Sequence, residues 1–566
     1  MAEWIFNATP SFLSRLTTAG DDSLTHKGLH LAFLAGCILC ALLAGASEPP
    51  SISKSAGELI VNGKPYLILG GELGNSSAGT AAEADSILPK LATMHVNTVL
   101  MPVAWEQIEP QESNFDFNIL DHWIDVARQE HLHLVVLWFG SWKNAFSSYA
   151  PAWVKSDTRR FPRAVSTDGN ELEILSTLGK ETQKADGKAF SSLMTHIREK
   201  DGEEQTVLMV QVENEVGYLG GGRDRSPAAN LLFHQSVPTA LIQKLRDSRE
   251  SLSPELAAHF HSEGKTWQEV FGEAADEVFM AWNYATYIQS VAQEGKRAYS
   301  LPMYVNAQLP APAERSGEYP SGGPHPYYLD VYRITAPALD FFSPDIYWPN
   351  FEYWINRYAI KGNAVFVPEA RLEAAPFNAF YAFGEAKAFG FAAFGIDSVD
   401  VSADRADNPT PMEQTYKALD DLSEMIVPAQ TLGKTRGLVM HAASPRPTQT
   451  VALDGYLFEA TLSRSWPAKT LLTEDGAMII VQSKPNEFFI AGRGLTVTFT
   501  RDPDRDDRVA GIASIEQVSR VDGNWITQRR LNGDQSNQGR QLSMAANQVK
   551  TYRVVLYTYE RERQPK

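Results

Sequence analysis

The sequence predicts an α/β chain: a (β/α)8 TIM barrel followed by a C-terminal all-β sandwich domain. Two observations carry this. Between Tyr66 and Ile396 short apolar segments alternate with amphipathic helical stretches, and the count of buried strands reaches eight. Past about Thr431 the helical periodicity fades, and short alternating segments appear between turns rich in Asp, Gly, Asn and Pro. An open doubly wound sheet would give the same alternation, so the count by itself leaves both arrangements standing.

Taken in order, residues 59–71 read as a small hairpin turning at Asn62-Gly63 and then a buried strand, because Asn-Gly supplies the two left-handed residues of a tight hairpin turn. Residues 96–102 form the second strand, behind a helix carrying Ile87, Leu88, Leu91 and Met94 at helical spacing. Residues 132–139 form the third, behind a helix with Leu120, Trp123, Ile124 and Val126, and residues 207–212 the fourth, after a helix around 190–197. One long helix over 267–294 precedes a fifth strand at 303–306. The sixth, seventh and eighth follow at 341–347, 365–369 and 391–396. The sandwich is read from segments at 450–453, 476–482, 487–490, 495–499 and 552–557. It either binds sugar or covers part of the barrel.

A chain of 566 residues has room for two or three domains, and 43% hydrophobic with 21% charged residues is ordinary globular composition. A formal net charge of −17 argues against nucleic acid or an anionic membrane surface as partner. There is no P-loop, no His-Glu-x-x-His, no dinucleotide fingerprint and no Cys-x-x-Cys pair in the globular part, so no cofactor is expected. Nothing in the sequence bears on oligomeric state.

Both cysteines, Cys37 and Cys40, fall in an apolar segment over 29–46, with Arg15 and Lys27 ahead of it. Ala44-Gly45-Ala46 has the small-x-small pattern of a signal-peptidase site, with cleavage before Ser47. Two rival readings stand beside it: a lipoprotein box at Leu34-Ala35-Gly36-Cys37, and an uncleaved anchor, the segment being near the lower length limit for a span. The expected division is a signal peptide over 1–46, a linker over 47–56, a catalytic barrel over 57–428 and a β domain over 429–566. Export to the periplasm or the exterior follows, with membrane contact only if Cys37 is lipidated or the segment stays uncleaved.

Chemistry concentrates where strands end. Gln211-Val212-Glu213-Asn214-Glu215-Val216-Gly217 closes the fourth strand, and Phe366-Val367-Pro368-Glu369-Ala370-Arg371 closes the seventh. In a barrel of this kind the active site lies at the C-terminal ends of the strands. A carboxylate on each of two such ends is what cleavage of a glycosidic bond needs: Glu215 as acid/base and Glu369 as nucleophile. Arg371 is expected to keep Glu369 ionised, and Tyr347 to hydrogen-bond it. Asn214, Trp105, Glu106 and Asn144, all near strand ends, are the expected contacts to a carbohydrate substrate. The loop over 319–325, with His325, reads as a lid or pocket rim.

The string Gln211-Val212-Glu213-Asn214-Glu215-Val216-Gly217 resembles that of glycoside hydrolase family 35 β-galactosidases. The resemblance implies a retaining double displacement, with Glu369 attacking the anomeric carbon while Glu215 protonates the departing oxygen. The β domain resembles the C-terminal module of a bacterial subgroup acting on galactose-bearing plant oligosaccharides such as xyloglucan fragments. Two departures fall on positions that grip the sugar. Many members have Pro-Trp-Asn-x-His-Glu-Pro where this chain has Ala104-Trp105-Glu106-Gln107-Ile108-Glu109-Pro110. Many have a Glu before the Pro-Ala-Trp segment, where Asn144 precedes Pro151-Ala152-Trp153 here. The expectation is an exported retaining exo-β-galactosidase. The alternatives are an endo-acting β-glycan hydrolase of the same clan and a non-catalytic carbohydrate-binding protein.

Overall fold

Eight parallel strands close on themselves in the computed structural model, which describes residues 48–400, 409–444, 446–465, 468–504 and 508–560. They are β1 (Ile68–Glu72), β2 (Thr98–Ala104), β3 (His133–Phe139), β4 (Val207–Val212), β5 (Met303–Gln308), β6 (Phe341–Ile346), β7 and β8 (Gly390–Phe394). Strand β7 is in two pieces, Phe366–Val367 and Glu369–Ala370. The first piece pairs with β8 and the second with β6, and β8 in turn pairs with β1, so the sheet has no free edge. Pro368 sits at the break because it has no N–H to give to a ladder. The closed ring excludes the doubly wound alternative.

Helices follow the strands in turn: α1 (Ala81–Thr93), α2 (Asn118–Gln129), α3 (Lys180–Asp201), α4 (Ala275–Ala298), α5 (Leu329–Thr335), α6 (Phe351–Tyr358), α7 (Ala375–Gly384) and α8 (Pro411–Thr431). Thr80 and Thr410 start α1 and α8 with capping boxes that also use Glu83 and Glu413. The single helix expected over 267–294 is broken. Trp267–Phe271 ends at Gly272, whose φ of +55 leaves the helical region, and the chain restarts as α4.

Strand side chains alternate between two cores, as a period of two requires. On β3, Leu134, Val136 and Trp138 join the layer under the helices, while Val135, Leu137 and Phe139 fill the barrel interior. The hairpin Leu59–Val61 and Lys64–Tyr66, with Asn62 and Gly63 both at positive φ, brings Leu59 and Val61 into that interior cluster.

The C-terminal part is a sandwich of two antiparallel sheets. One holds six strands in the order β9 (Thr435–His441), β12 (Asp475–Lys484), β13 (Glu487–Arg493), β18 (Lys550–Tyr559), β15 (Val509–Val521) and β16 (Asn524–Arg530). The other holds β10 (Thr448–Leu453), β11 (Tyr456–Leu462), β14 (Leu495–Arg501) and β17 (Gln541–Ser543). On β12, Met478 and Ile480 face the four-stranded sheet, whereas Ala477, Ile479 and Val481 belong to the barrel's own core. Strand β12 is therefore buried on both faces, one of them against the barrel. Contact is closest where α7 crosses β9. A Cβ on Gly437 would lie 2.3 Å from the Phe380 carbonyl oxygen, and one on Gly384 would lie 2.5 Å from that of Arg436.

The apolar segment over 29–46, with Cys37 and Cys40, lies outside the described residues. Among the described residues no helix is long and apolar enough to cross a membrane.

Candidate active site

The C-terminal ends of β4, β6 and β7 bring three buried carboxylates together. Glu215, Asp345 and Glu369 each present an oxygen, and these oxygens all lie within 4.8 Å of one another. Glu72, the last residue of β1, is close enough to Glu369 for the charge of one to act on the other. All four side chains are almost fully buried. Glu72, Asp345 and Glu369 lie in strands at the mouth of the barrel, and Glu215 in the turn just beyond β4.

Beyond β4 the backbone takes an uncommon path. Glu213 and Glu215 both have positive φ, +63 and +45, a region that costs a non-glycine residue energy unless its surroundings hold it there. Hydrogen bonds supply that hold. Glu213 Oε2 accepts the Trp142 N–H at 2.7 Å, the Asn214 N–H donates to the Trp142 carbonyl at 3.2 Å, and the Glu215 N–H donates to Asn306 Oδ1 at 2.9 Å. Gly217 completes the turn at φ +155 with its Cα against Pro320, where a Cβ would lie 2.3 Å from the carbonyl oxygen. Only glycine fits both conditions. The loop over 319–325 is thereby clipped to the loop after β4, with Tyr218 and Ser321 exchanging backbone hydrogen bonds at 2.9 and 3.1 Å. His325 is buried within it, its Nε2 on the Pro320 carbonyl at 2.7 Å, and serves the loop rather than the pocket.

The carboxylates have unlike surroundings. Burial, and then the charge of Glu369, push Glu215 up to about 7, while Lys143, Asp345 and Asn144 act in the opposite direction. The Asn144 amide donates to Glu215 Oε2. The Tyr347 hydroxyl donates to Glu369 Oε1, while Oε2 of the same carboxylate has no protein partner. Asp345 accepts the Asn306 amide at 2.7 Å, and burial followed by the charge of Glu369 holds it well above the usual carboxylate range. Glu72 is raised in the same way, by burial and then by Glu369, and neither of its oxygens has a partner. Carboxylates this close cannot all be ionised, so the cluster holds protons at neutral pH. Unpartnered oxygens at Glu72, Asp345 and Glu369 and an unpartnered Asn214 amide nitrogen leave several buried polar atoms for the hydroxyls of a bound molecule. A cluster of this sign also stabilises a positive charge developing between its members. By spacing alone, Glu215, Asp345 and Glu369 are a group that could hold a cation.

A second buried acidic pair stands behind the first. Glu213 faces Asp186 of α3, and burial followed by the Asp186 charge holds Glu213 well above the usual carboxylate range. Asp186 also accepts from Trp138 Nε1 at 3.0 Å and Ser141 Oγ at 2.6 Å. This pair fixes the end of β3 against the end of β4.

Asn214, Glu215, Asn144, Tyr347 and Glu369 thus converge on one site, and Trp105 and Glu106 lie away from it. Strand β2 ends at Ala104 and turns at once into a single helical turn, Trp105–Ile108, which tucks the indole under the strand. Trp105 is fully buried, with Nε1 on Glu109 at 2.8 Å, and its expected sugar contact is not available. Glu106 points outward to Lys155 at 3.2 Å. Arg371 also differs from expectation: its side chain is 58% exposed and its Nε lies 3.8 Å from Glu373, leaving Tyr347 as the partner of Glu369. Glu72, Asp345, Asn306 and Lys143 were not singled out from the sequence. The available signal was positional, since Glu72 and Asp345 are the acidic residues at the ends of the first and sixth strands.

A (β/α)8 barrel with a buried carboxylate pair on its fourth and seventh strands has the architecture of a glycosidase site. Residues 78–248 match a family model described as "Beta-galactosidase", that of glycoside hydrolase family 42 rather than family 35. Residues 412–543, most of the sandwich, match one described as "Domain of unknown function (DUF5597)". A curated relative named "Beta-galactosidase", from Xanthomonas manihotis, is 28% identical over 244 residues, 37% of this chain and 38% of its own length. The chain thus matches well under half the length of that relative. Among solved structures, the β-galactosidase from the psychrophilic Marinomonas ef1 aligns with a TM-score of 0.43 at 12% identity, covering 64% of this chain and 61% of its own. The catalytic domain of β-amylase from Paenibacillus polymyxa aligns at 0.41 and 14%, covering 61% and 96%. The family match, the curated relative and the paired carboxylates together support a glycoside hydrolase of the β-galactosidase kind.

Proposed function

We propose that the protein is an exported, retaining exo-β-galactosidase that removes terminal β-galactosyl residues from oligo- or polysaccharides, xyloglucan fragments among them. The observation that carries the retaining reading is the proximity of Glu215 and Glu369, whose nearest oxygens lie within 4.8 Å. Retaining enzymes hold the two carboxyl groups about 5–5.5 Å apart, whereas inverting ones leave about 6.5–9.5 Å for a water.

Glu369, oriented by Tyr347, attacks the anomeric carbon and forms a glycosyl-enzyme bond. Glu215, held near neutrality by burial and the neighbouring charge, gives its proton to the departing oxygen. In the second half, Glu215 takes a proton from water, which attacks the same carbon and releases the sugar with its configuration kept. The remaining carboxylates and the Asn214 amide grip the hydroxyls of the terminal sugar.

Galactose as the sugar rests on the family match and the curated relative, both β-galactosidases by name. The finer family-35 assignment rests on the string from Gln211 to Gly217, set beside a family-42 match over 78–248. Export rests on the apolar segment over 29–46. Hydrolysis of a panel of aryl β-glycosides (galactoside, glucoside, mannoside, fucoside, arabinoside), with Glu369→Gln as control, tests the proposal. Selective galactoside turnover lost in the control supports it, and no galactoside turnover refutes it.

A further inference from the structure

A cavity that meets the catalytic cluster at Tyr347 lies between the barrel and the sandwich. It has a volume of about 760 Å³, within the range of small-molecule sites. One wall is barrel: Tyr347 and Trp348 beyond β6, Arg371 beyond β7, and Asn378 on α7. The facing wall is sandwich: His441 at the end of β9 and Glu474 just before β12. Tyr347 belongs to the cavity and to the catalytic cluster at once, since its hydroxyl donates to Glu369.

We infer that this interdomain cavity is the binding site for the leaving-group part of the substrate, a neutral oligosaccharide chain that the sandwich helps to hold. The inference rests on the exo reading given above. An exo enzyme accommodates a single sugar on one side of the scissile bond, so whatever lies in an adjoining cavity belongs to the other side. The chemistry of the walls suits sugars. Trp348 and Tyr347 contribute aromatic rings to the lining, a residue type that packs against the apolar side of a pyranose. Arg371, Asn378, His441 and Glu474 offer donors and acceptors of both signs, so no charged ligand is selected. The polar wall on the sandwich side is itself fixed: His441 Nδ1 lies 2.6 Å from Asp475 Oδ1, joining the ends of two paired strands. The sandwich would then act as a specificity surface as well as a cover for the barrel.

The test compares kcat/KM on an aryl β-galactoside, which has almost nothing to place in the cavity, with kcat/KM on a galactose-capped oligosaccharide of several sugars. Two variants on the sandwich wall, Ala443→Trp to fill the cavity and Glu474→Ala to remove a polar contact, are measured beside the wild type. The expected result is a fall of about tenfold in the oligosaccharide-to-aryl ratio, the scale of one or two lost polar contacts. A ratio equal to that of the wild type in both variants overturns the assignment, whether the two activities fall together or stay as they were. Absence of aryl galactoside turnover by the wild type overturns the proposed function and this inference with it. Normal wild-type turnover with an unaltered ratio removes the cavity assignment alone.

Discussion

The Tyr347 hydroxyl and Glu369 Oε1 are joined by a hydrogen bond that crosses from the end of β6 to the broken strand β7. It is the one protein hydrogen bond this carboxylate side chain makes among the described residues, since the other oxygen has none. Tyr347→Phe is therefore expected to lower kcat on an aryl galactoside by about ten- to a hundredfold, the worth of a hydrogen bond to a charged group. KM should move less than kcat, and steady-state kinetics separate the two. An unchanged kcat would remove Tyr347 from the machinery.

Glu215 carries the pH dependence. As a general acid it must be protonated, and burial beside Glu369 brings it up to about 7, so the protonated fraction falls as pH rises past that point. The basic limb of kcat/KM should break near pH 7 on a substrate with a poor leaving group. Lys143 and Asn144 both favour the charged form, so Lys143→Met or Asn144→Leu should move that limb to higher pH. A basic limb that stays in place in both variants would count against Glu215 as the acid.

Glu215→Gln and Glu369→Gln should differ in a way that depends on the leaving group. Loss of the acid costs about 10²–10⁴-fold where the leaving group needs a proton, and much less for an activated aryl group. Loss of the nucleophile abolishes turnover of both. Equal losses on activated and unactivated substrates in Glu215→Gln would contradict the assigned roles.

Glu72 links the site to stability. Its folded-state pKa lies above the unfolded value, through burial first and the Glu369 charge second. Its contribution is therefore fully present below the unfolded value and is lost as pH rises through the folded one. Glu72→Gln keeps the shape without the ionisation. Thermal melts should show the variant gaining stability over the wild type at pH 8, with the difference closing towards pH 4. A variant less stable than wild type across that whole range would refute the account. Activity should fall in the same variant, because a hydroxyl-binding oxygen is replaced.

At the domain junction, Gly437→Val places a Cβ 2.3 Å from the Phe380 carbonyl oxygen and against the backbone of Tyr381 on α7 and of Glu385 at its end. The expected cost is at least about 1–3 kcal/mol by the measure of overpacked cores. Denaturant unfolding would register it as a lower midpoint. Because α7 follows Glu369 directly in the chain, kcat should fall as well.

How far the sequence could be read depended on how each group ended its strand. Glu215 and Glu369 stood out because a short, mostly apolar run ends within a few residues of each, a pattern that burial on both faces of a parallel strand imposes. Asp345 lies inside the Phe341–Ile346 strand, and the attention of a pattern reading went to Tyr347 beyond it. Glu72 follows two glycines, and the hydrophobic signal had already faded. Trp105 and Glu106 misled because a ring and a carboxylate after a strand look like site residues in either direction of the turn. The immediate helical turn at Trp105 that buries one and exposes the other is a tertiary outcome, set by the Tyr149 carbonyl that takes the Glu106 N–H and by Trp153 packing edge-on to the indole. The break at Gly272 was legible only as a glycine, which helices tolerate often enough to hide it.

The glycine crossing of α7 and β9 bears on how this chain can change over generations. A domain that travels between proteins keeps a water-compatible skin all round, so that it survives in new company. The face of β12 carrying Ala477, Ile479 and Val481 has no such skin. Moving the sandwich to another barrel would require a matching helix with its own bare backbone at the position of Gly384, and losing it would leave an oily stripe beside the nucleophile's helix. Exchanging the sandwich alone would therefore uncover a face that the barrel now covers.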